Sequence, residues 1–122
     1  MQTNVKVKVD GTKPPRVLAA DTLKGDKVTN SKGEDLGKVE AIMLDLARGR
    51  IAYVVLNRSH KLLAVPWEVL TVSFHDKKLI LNVSEETLKS APGFDKDNWP
   101  DSGDFDWLAK VYQSYNRDPY WK

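Results

Sequence analysis

His60 and His75 are the two side chains of this sequence that can take up and release a proton near neutral pH. Both sit among turn formers, His60 between Ser59 and Lys61 and His75 before Asp76 and Lys77, which reads as two solvated turn residues. A zinc site needs three or four ligands held in a fixed array. With no cysteine and two histidines, carboxylates would have to complete it, and no spacing brings them together, so neither a metal nor a cofactor is expected. The adjacency Ser59-His60 imitates part of a hydrolytic triad, but neighbours on a turn point apart, whereas nucleophile, base and orienting acid must converge in space. No carrier of catalysis is visible, and the expectation is that the protein is not an enzyme.

Among the carboxylates, Asp45 stands out because Leu44 and Leu46 flank it in an apolar run, and a charge there must face water or be paired. It is expected to face outward and to pair with Arg48 or Arg50 across a hairpin, partner binding being the other role open to it. Glu34-Asp35 reads as part of a solvated turn, unlike the spaced carboxylates of a glycosidase. Gly33 and Gly37 enclose Glu, Asp and Leu, which would oppose an anion, so they read as turn glycines instead of a phosphate cradle. Asn57-Arg58-Ser59 and Asn82-Val83-Ser84 match the glycosylation sequon, which matters only on a secretory route.

The elements that must position these residues belong to one domain, since 122 residues suffice for one core and leave no room for a second full domain. The absence of cysteine excludes disulfides, thiolate metal sites and a cysteine nucleophile, and agrees with a reducing compartment. No apolar run approaches the ~18 residues that span a bilayer, and the start lacks an apolar signal segment, so no membrane span and a cytoplasmic location are expected. The net charge of +2 is too small for nucleic-acid binding through bulk charge.

Charge and aromatic residues are unevenly spread. Residues 1–83 carry 14 basic and 9 acidic side chains, net +5, and the remainder 5 and 8, net −3; three aromatic residues lie in the first part and eight in the last 39 positions. A segment so rich in rings needs a surface to pack on and is not a disordered acidic tail.

Three parts follow: an arm over 1–16, a β domain over 17–100 and an aromatic helical tail over 101–122. Val5 to Val9 alternates with period two and is either an edge strand or a loose arm, and Pro14-Pro15 makes a stiff connector. Turns are expected at 30–34, 48–50, 57–61 and 75–77, with strands at 27–30, 37–46, 51–57, 62–66, 70–74 and 79–83. The second and third of these are apolar on both faces, so both faces must be covered. Five or six short strands with no βαβ crossover predict a mainly β fold, a small antiparallel barrel or strongly curled sheet. Its interior is expected to hold Val39, Ile42, Leu44, Tyr53, Val55, Val65, Val72, Leu79 and Leu81. Pro66-Trp67 should turn the chain round a barrel corner, with Trp67 covering the barrel end.

Ser84 followed by Glu85 and Glu86 caps a helix of about two turns that Ala91-Pro92-Gly93 stops. Residues 93–100 read as a loop. Asp101, Ser102 or Asp104 can cap an amphipathic helix with Phe105, Leu108, Val111, Tyr112 and Tyr115 at spacings of three and four.

Several blocks together resemble the PRC-barrel family: Gly25-Asp26-Lys27-Val28, Gly33 through Val39, Leu44-Asp45-Leu46, Gly49 through Val55, and Leu63-Ala64-Val65-Pro66-Trp67. Residues 88–100 and Arg117-Asp118-Pro119-Tyr120-Trp121 resemble stand-alone bacterial members similar to the photosynthetic reaction-centre H subunit. The resemblance implies a small PRC-type β-barrel with a non-catalytic role. Family members include the cytoplasmic domain of that H subunit and the C-terminal domain of a ribosome-maturation factor.

The expected function is a protein-interaction module with an unidentified protein partner. Phe94, Trp99, Phe105, Trp107, Tyr112, Tyr115, Tyr120 and Trp121 offer more ring area than two short helices can bury, so the tail is expected to use the barrel and a second copy, giving a homodimer. Gly37, Asp45, Arg50, Pro66, Trp67, Phe94, Trp99, Trp107, Tyr112, Tyr120 and Trp121 are the structural or interaction candidates. The alternative is an RNA- or ribosome-associated factor using Lys24, Lys27, Lys32, Lys38, Arg48, Arg50 and Arg58.

Overall fold

In the computed structural model, the described residues are 7–8, 17–101 and 103–121. The other positions of the arm, the Pro14-Pro15 connector and Ser102 lie outside them. Eight strands, β1 (Val7–Lys8), β2 (Lys27–Thr29), β3 (Asp35–Asp45), β4 (Arg50–Arg58), β5 (Lys61–Val65), β6 (Leu70–Ser73), β7 (Lys78–Leu81) and β8 (Gly93–Phe94), are joined by helices α1 (Ala20–Leu23), α2 (Glu85–Ser90) and α3 (Phe105–Ser114). They form one sheet in the order β1-β6-β7-β2-β3-β4-β5-β8.

The β class is as expected, and the strand positions agree closely with the turn signals. The sheet is nevertheless open and mixed: its end strands β1 and β8 are not neighbours, β1 runs parallel to β6, and β2 runs parallel to β7. The physical reason lies at Pro66. The chain turns there through a 3₁₀ segment (Trp67–Val69), and β6 hairpins onto β7, which is laid beside β2 at the start of the domain. Parallel neighbours thus arise by curling a meander, without a helical crossover. Trp67 is buried at this corner, as its place in the sequence suggested.

Local chemistry sets the ends of the elements. Asn30 Oδ1 accepts from the backbone N–H groups of Lys32 and Glu34, closing the β2–β3 turn, with Gly33 at positive φ. The tip of the β3–β4 hairpin closes through Gly49 N–H donating to the Asp45 carbonyl at 2.8 Å. Ser59 and His60 form the β4–β5 turn with φ of 49° and 71°, a two-residue loop in left-handed backbone without the usual glycine. Ser84 caps α2 by accepting from Thr87 N–H, and Asp104 caps α3 by accepting from Trp107 N–H. Residues 93–94, expected to be loop, instead pair with β5 as β8.

Val39, Tyr53, Val55, Val65, Val72, Leu79 and Leu81 lie in the core as expected, joined by Leu56, Leu63, Leu88, Leu108, Val111 and Tyr112. Ile42 is partly buried, and Leu44 is 60% exposed, contrary to expectation. Neighbours on a strand point to opposite faces, and here the inward place belongs to Asp45. A register shift at Met43/Leu44, where β4 passes over Ala52, helps to fix that choice.

Candidate functional site

Asp45 is 7% exposed, so the outward orientation expected of it is corrected, although its pairing with Arg48 holds. Burial is tolerated because the carboxylate is satisfied on several sides. Tyr120 Oη donates to Oδ2 at 2.6 Å, Arg48 Nη1 donates to the same oxygen at 3.1 Å, and Arg48 N–H donates to Oδ1 at 3.1 Å. These bonds, the one from Tyr120 foremost, hold the Asp45 carboxyl below the usual carboxylate range against the opposing effect of burial. Burial and the hydrogen bond to Asp45 in turn push the Tyr120 hydroxyl well above the ordinary tyrosine range.

Arg50 completes the clasp. Its Nη2 donates to Glu68 Oε2 at 2.7 Å, and its guanidinium carbon lies 3.9 Å from the Tyr120 ring centroid, a cation–π contact. Tyr120 is thus held by its hydroxyl on the hairpin end of β3 and by its ring under a side chain of β4. Next to it, Tyr112 is fully buried and donates to the Ala52 carbonyl at 2.6 Å. Ala52 is the residue that the β3–β4 register passes over, so α3 supplies a donor to a carbonyl displaced from the regular ladder.

The tail rings form two clusters on the chain's own sheet. Phe105, Tyr112, Tyr120 and Trp121 meet through centroid separations of 4.8 to 5.7 Å, most of them edge-to-face. Phe94 lies against Trp99 at 5.0 Å and Trp107 at 6.0 Å, and Trp107 also meets Tyr53 of β4 at 5.8 Å. Tyr112 and Tyr115 are buried and Trp99 is 39% exposed.

The inward turn of Asp45 has a complement on the outer side. Leu44 and Leu46 are 60% and 88% exposed, and they line a groove of about 270 Å³ with Met43, Tyr53, Phe105 and Trp107, edged by Asp101 and Asp104. The Leu-Asp-Leu pattern held the signal for this surface: once a satisfied aspartate takes the core side, both leucines must take the other. Strand alternation alone places Leu44 inside, and nothing in the sequence marks Leu46, Asp101 or Asp104 as lining a surface groove.

The other candidates lie outside this cluster. Gly37 is within β3 and not in a turn; at φ 137° its backbone passes so close to β4 that a Cβ would meet the Asn57 carbonyl oxygen at 2.3 Å. Pro66 and Trp67 are buried corner residues. His60 and His75 are exposed turn residues, and among the described residues no three His, Asp or Glu side chains gather in a group able to hold a metal. No helix among the described residues is long and apolar enough to cross a membrane. A cavity of about 590 Å³ elsewhere has Lys24, Lys38 and Arg58 opposed by Asp35 and Glu40, so neither sign dominates it.

A short curled sheet with a 3₁₀ corner, its tail helix clasped over one face, defines a small domain of the barrel class. Residues 15–88 match the model of the PRC-barrel domain, more than half of the chain, and the protein belongs to the PRC-barrel family. No curated protein matches it.

Proposed function

We propose that the protein is a non-catalytic interaction module of the PRC-barrel family that docks a protein through the face between the β3–β4 hairpin and α3, with self-association among its contacts. The observation that carries this reading is the exposed pair Leu44 and Leu46 beside an apolar groove with an acidic edge. Adjoining apolar side chains rimmed by polar groups are the surfaces that soluble proteins use for association. The groups with the most distinctive electrostatics are, by contrast, engaged with one another: the Asp45 carboxylate is covered by Tyr120 and Arg48 and held ionised. Arg48, Arg50 and Arg58 are each paired with a carboxylate, which weakens the case for phosphate contacts.

Affinity purification of the tagged full chain from cells that make it tests the reading, in parallel with a variant carrying Leu44→Ser and Leu46→Ser. A protein retained by the wild type at raised salt and lost from the variant is the expected result. RNA retained in a salt-sensitive manner, with the same proteins on both baits, would overturn the proposal.

A further inference from the structure

The two walls of the groove between the β3–β4 hairpin and α3 are joined by a closed ring of contacts. Asp45 belongs to the hairpin wall, between Leu44 and Leu46, and Phe105 to the helix wall, beside Trp107. Two bridges connect them. The first is Arg48, whose Nη1 donates to Asp45 Oδ2 at 3.1 Å and whose guanidinium carbon lies 5.6 Å from the Phe105 ring centroid. The second is the tail. Tyr120 donates to Asp45 at 2.6 Å, Trp121 meets Phe105 edge-to-face at 4.8 Å, and the centroids of the two tail rings lie 5.0 Å apart.

The bridges differ in their anchorage. Arg48 is part of the hairpin itself and its side chain is 45% exposed, so water screens the contacts it makes. The tail bridge comes from a third element, adds a hydrogen bond to a buried carboxylate and packs ring on ring. It is the stiffer of the two. It joins α3 through residues 116–118, which are exposed, and Tyr120 and Trp121 are themselves half-buried. A segment with an exposed connector and half-buried anchors opens at a lower free energy than the sheet beneath it.

We propose that residues 119–121 are a strap that sets the spacing of the groove walls. Closed, it holds the hairpin and α3 at the separation at which the groove binds; released, it lets them part and weakens docking. The consequence for docking rests on the function proposed above, whereas the strap itself rests on the ring of contacts. Coupling of this kind is reciprocal, so a molecule seated in the groove also holds the strap down.

The sequence lacks cysteine, so pairs of spin labels can be placed in the full chain. Ala47→Cys with Asp106→Cys labels two exposed positions, next to Leu46 on the hairpin and next to Phe105 on α3. Lys27→Cys with Lys61→Cys is the control and reports on β2 and β5. Spin–spin distance measurement should give a narrow separation for the first pair, which Tyr120→Phe combined with Trp121→Ala broadens about twofold or more while the control pair is unchanged. The same tail substitutions should weaken capture of a groove partner about tenfold. If the combined variant unfolds the sheet, which the control pair reads, Trp121→Ala alone carries the test. A first-pair separation indifferent to the tail substitutions overturns the inference, as does capture that Leu44→Ser with Leu46→Ser abolishes and the tail substitutions spare. Walls that part while neither variant alters capture would remove the docking reading and leave the strap standing.

Discussion

The hydroxyl of Tyr120 bonds the carboxylate of Asp45 at 2.6 Å across a sequence separation of 75 residues, tying the end of the tail to the hairpin end of β3. The bond explains how an aspartate between two leucines comes to be buried, and why those leucines are turned outward. It makes the exposed apolar face at Leu44 and Leu46 a consequence of tail closure.

Tyr120→Phe keeps the ring beneath Arg50 and removes the donor, so the melting temperature should fall by a few degrees at neutral pH. The folded pKa of Asp45 lies below its unfolded value, so its stabilisation is complete above the unfolded pKa and disappears as pH falls through the folded one. The gap between wild type and variant should therefore be widest above about pH 5 and close well below about pH 4. A gap of constant size down to acid unfolding would assign the loss to packing instead.

Gly37→Ala is expected to destabilise the fold by about 2 kcal/mol or more, because the added carbon must displace the Asn57 backbone at a φ that L-residues seldom adopt. Gly103→Ala is the control, since a Cβ there meets nothing within 4 Å. Similar denaturation midpoints for the two variants would show that β4 yields easily at Asn57.

Much of this fold was legible where local chemistry decides. Asn30, Gly49, Ser84 and Asp104 mark turns and caps through bonds to backbone within five residues, and α2 and α3 lie where those caps placed them, whereas the short α1, with no side-chain cap, was not foreseen. What depended on distant residues was not legible. β8 has two residues and exists because Leu62 and Leu63 offer an open edge, and the parallel neighbours β2 and β7 meet only after the chain has curled. The orientation of Asp45 depended on a tyrosine at the far end of the sequence. An apolar run with leucines on both faces conceals which face is inner, so the pattern offered no preference until that donor was in place.

Replacing His60 by glycine should stabilise the protein by about 1 kcal/mol. Both turn residues of the β4–β5 hairpin have positive φ, where a side chain costs energy and glycine does not. Urea denaturation reads the change as a higher midpoint with an unaltered slope. A lower midpoint would show that the His60 side chain makes a contact worth more than the backbone strain it causes.

All four tyrosines of the chain, Tyr53, Tyr112, Tyr115 and Tyr120, have hydroxyls shifted above the ordinary range, with burial the largest cause in every case. For Tyr112 the negative charge of Glu68 adds to the shift, and for Tyr120 the hydrogen bond to Asp45 does. A group whose folded pKa exceeds its unfolded value stabilises the fold fully below the unfolded value and loses that contribution as pH rises through the folded one. Unfolding is therefore increasingly favoured above about pH 10, where free tyrosines begin to ionise. In an alkaline titration the tyrosinate absorbance should stay low past that point and then rise in one cooperative step, together with the loss of β-sheet circular dichroism. A gradual rise centred near pH 10, with the dichroism intact, would mean that the tail rings are in contact with solvent and that the clasp over β3 and β4 is open.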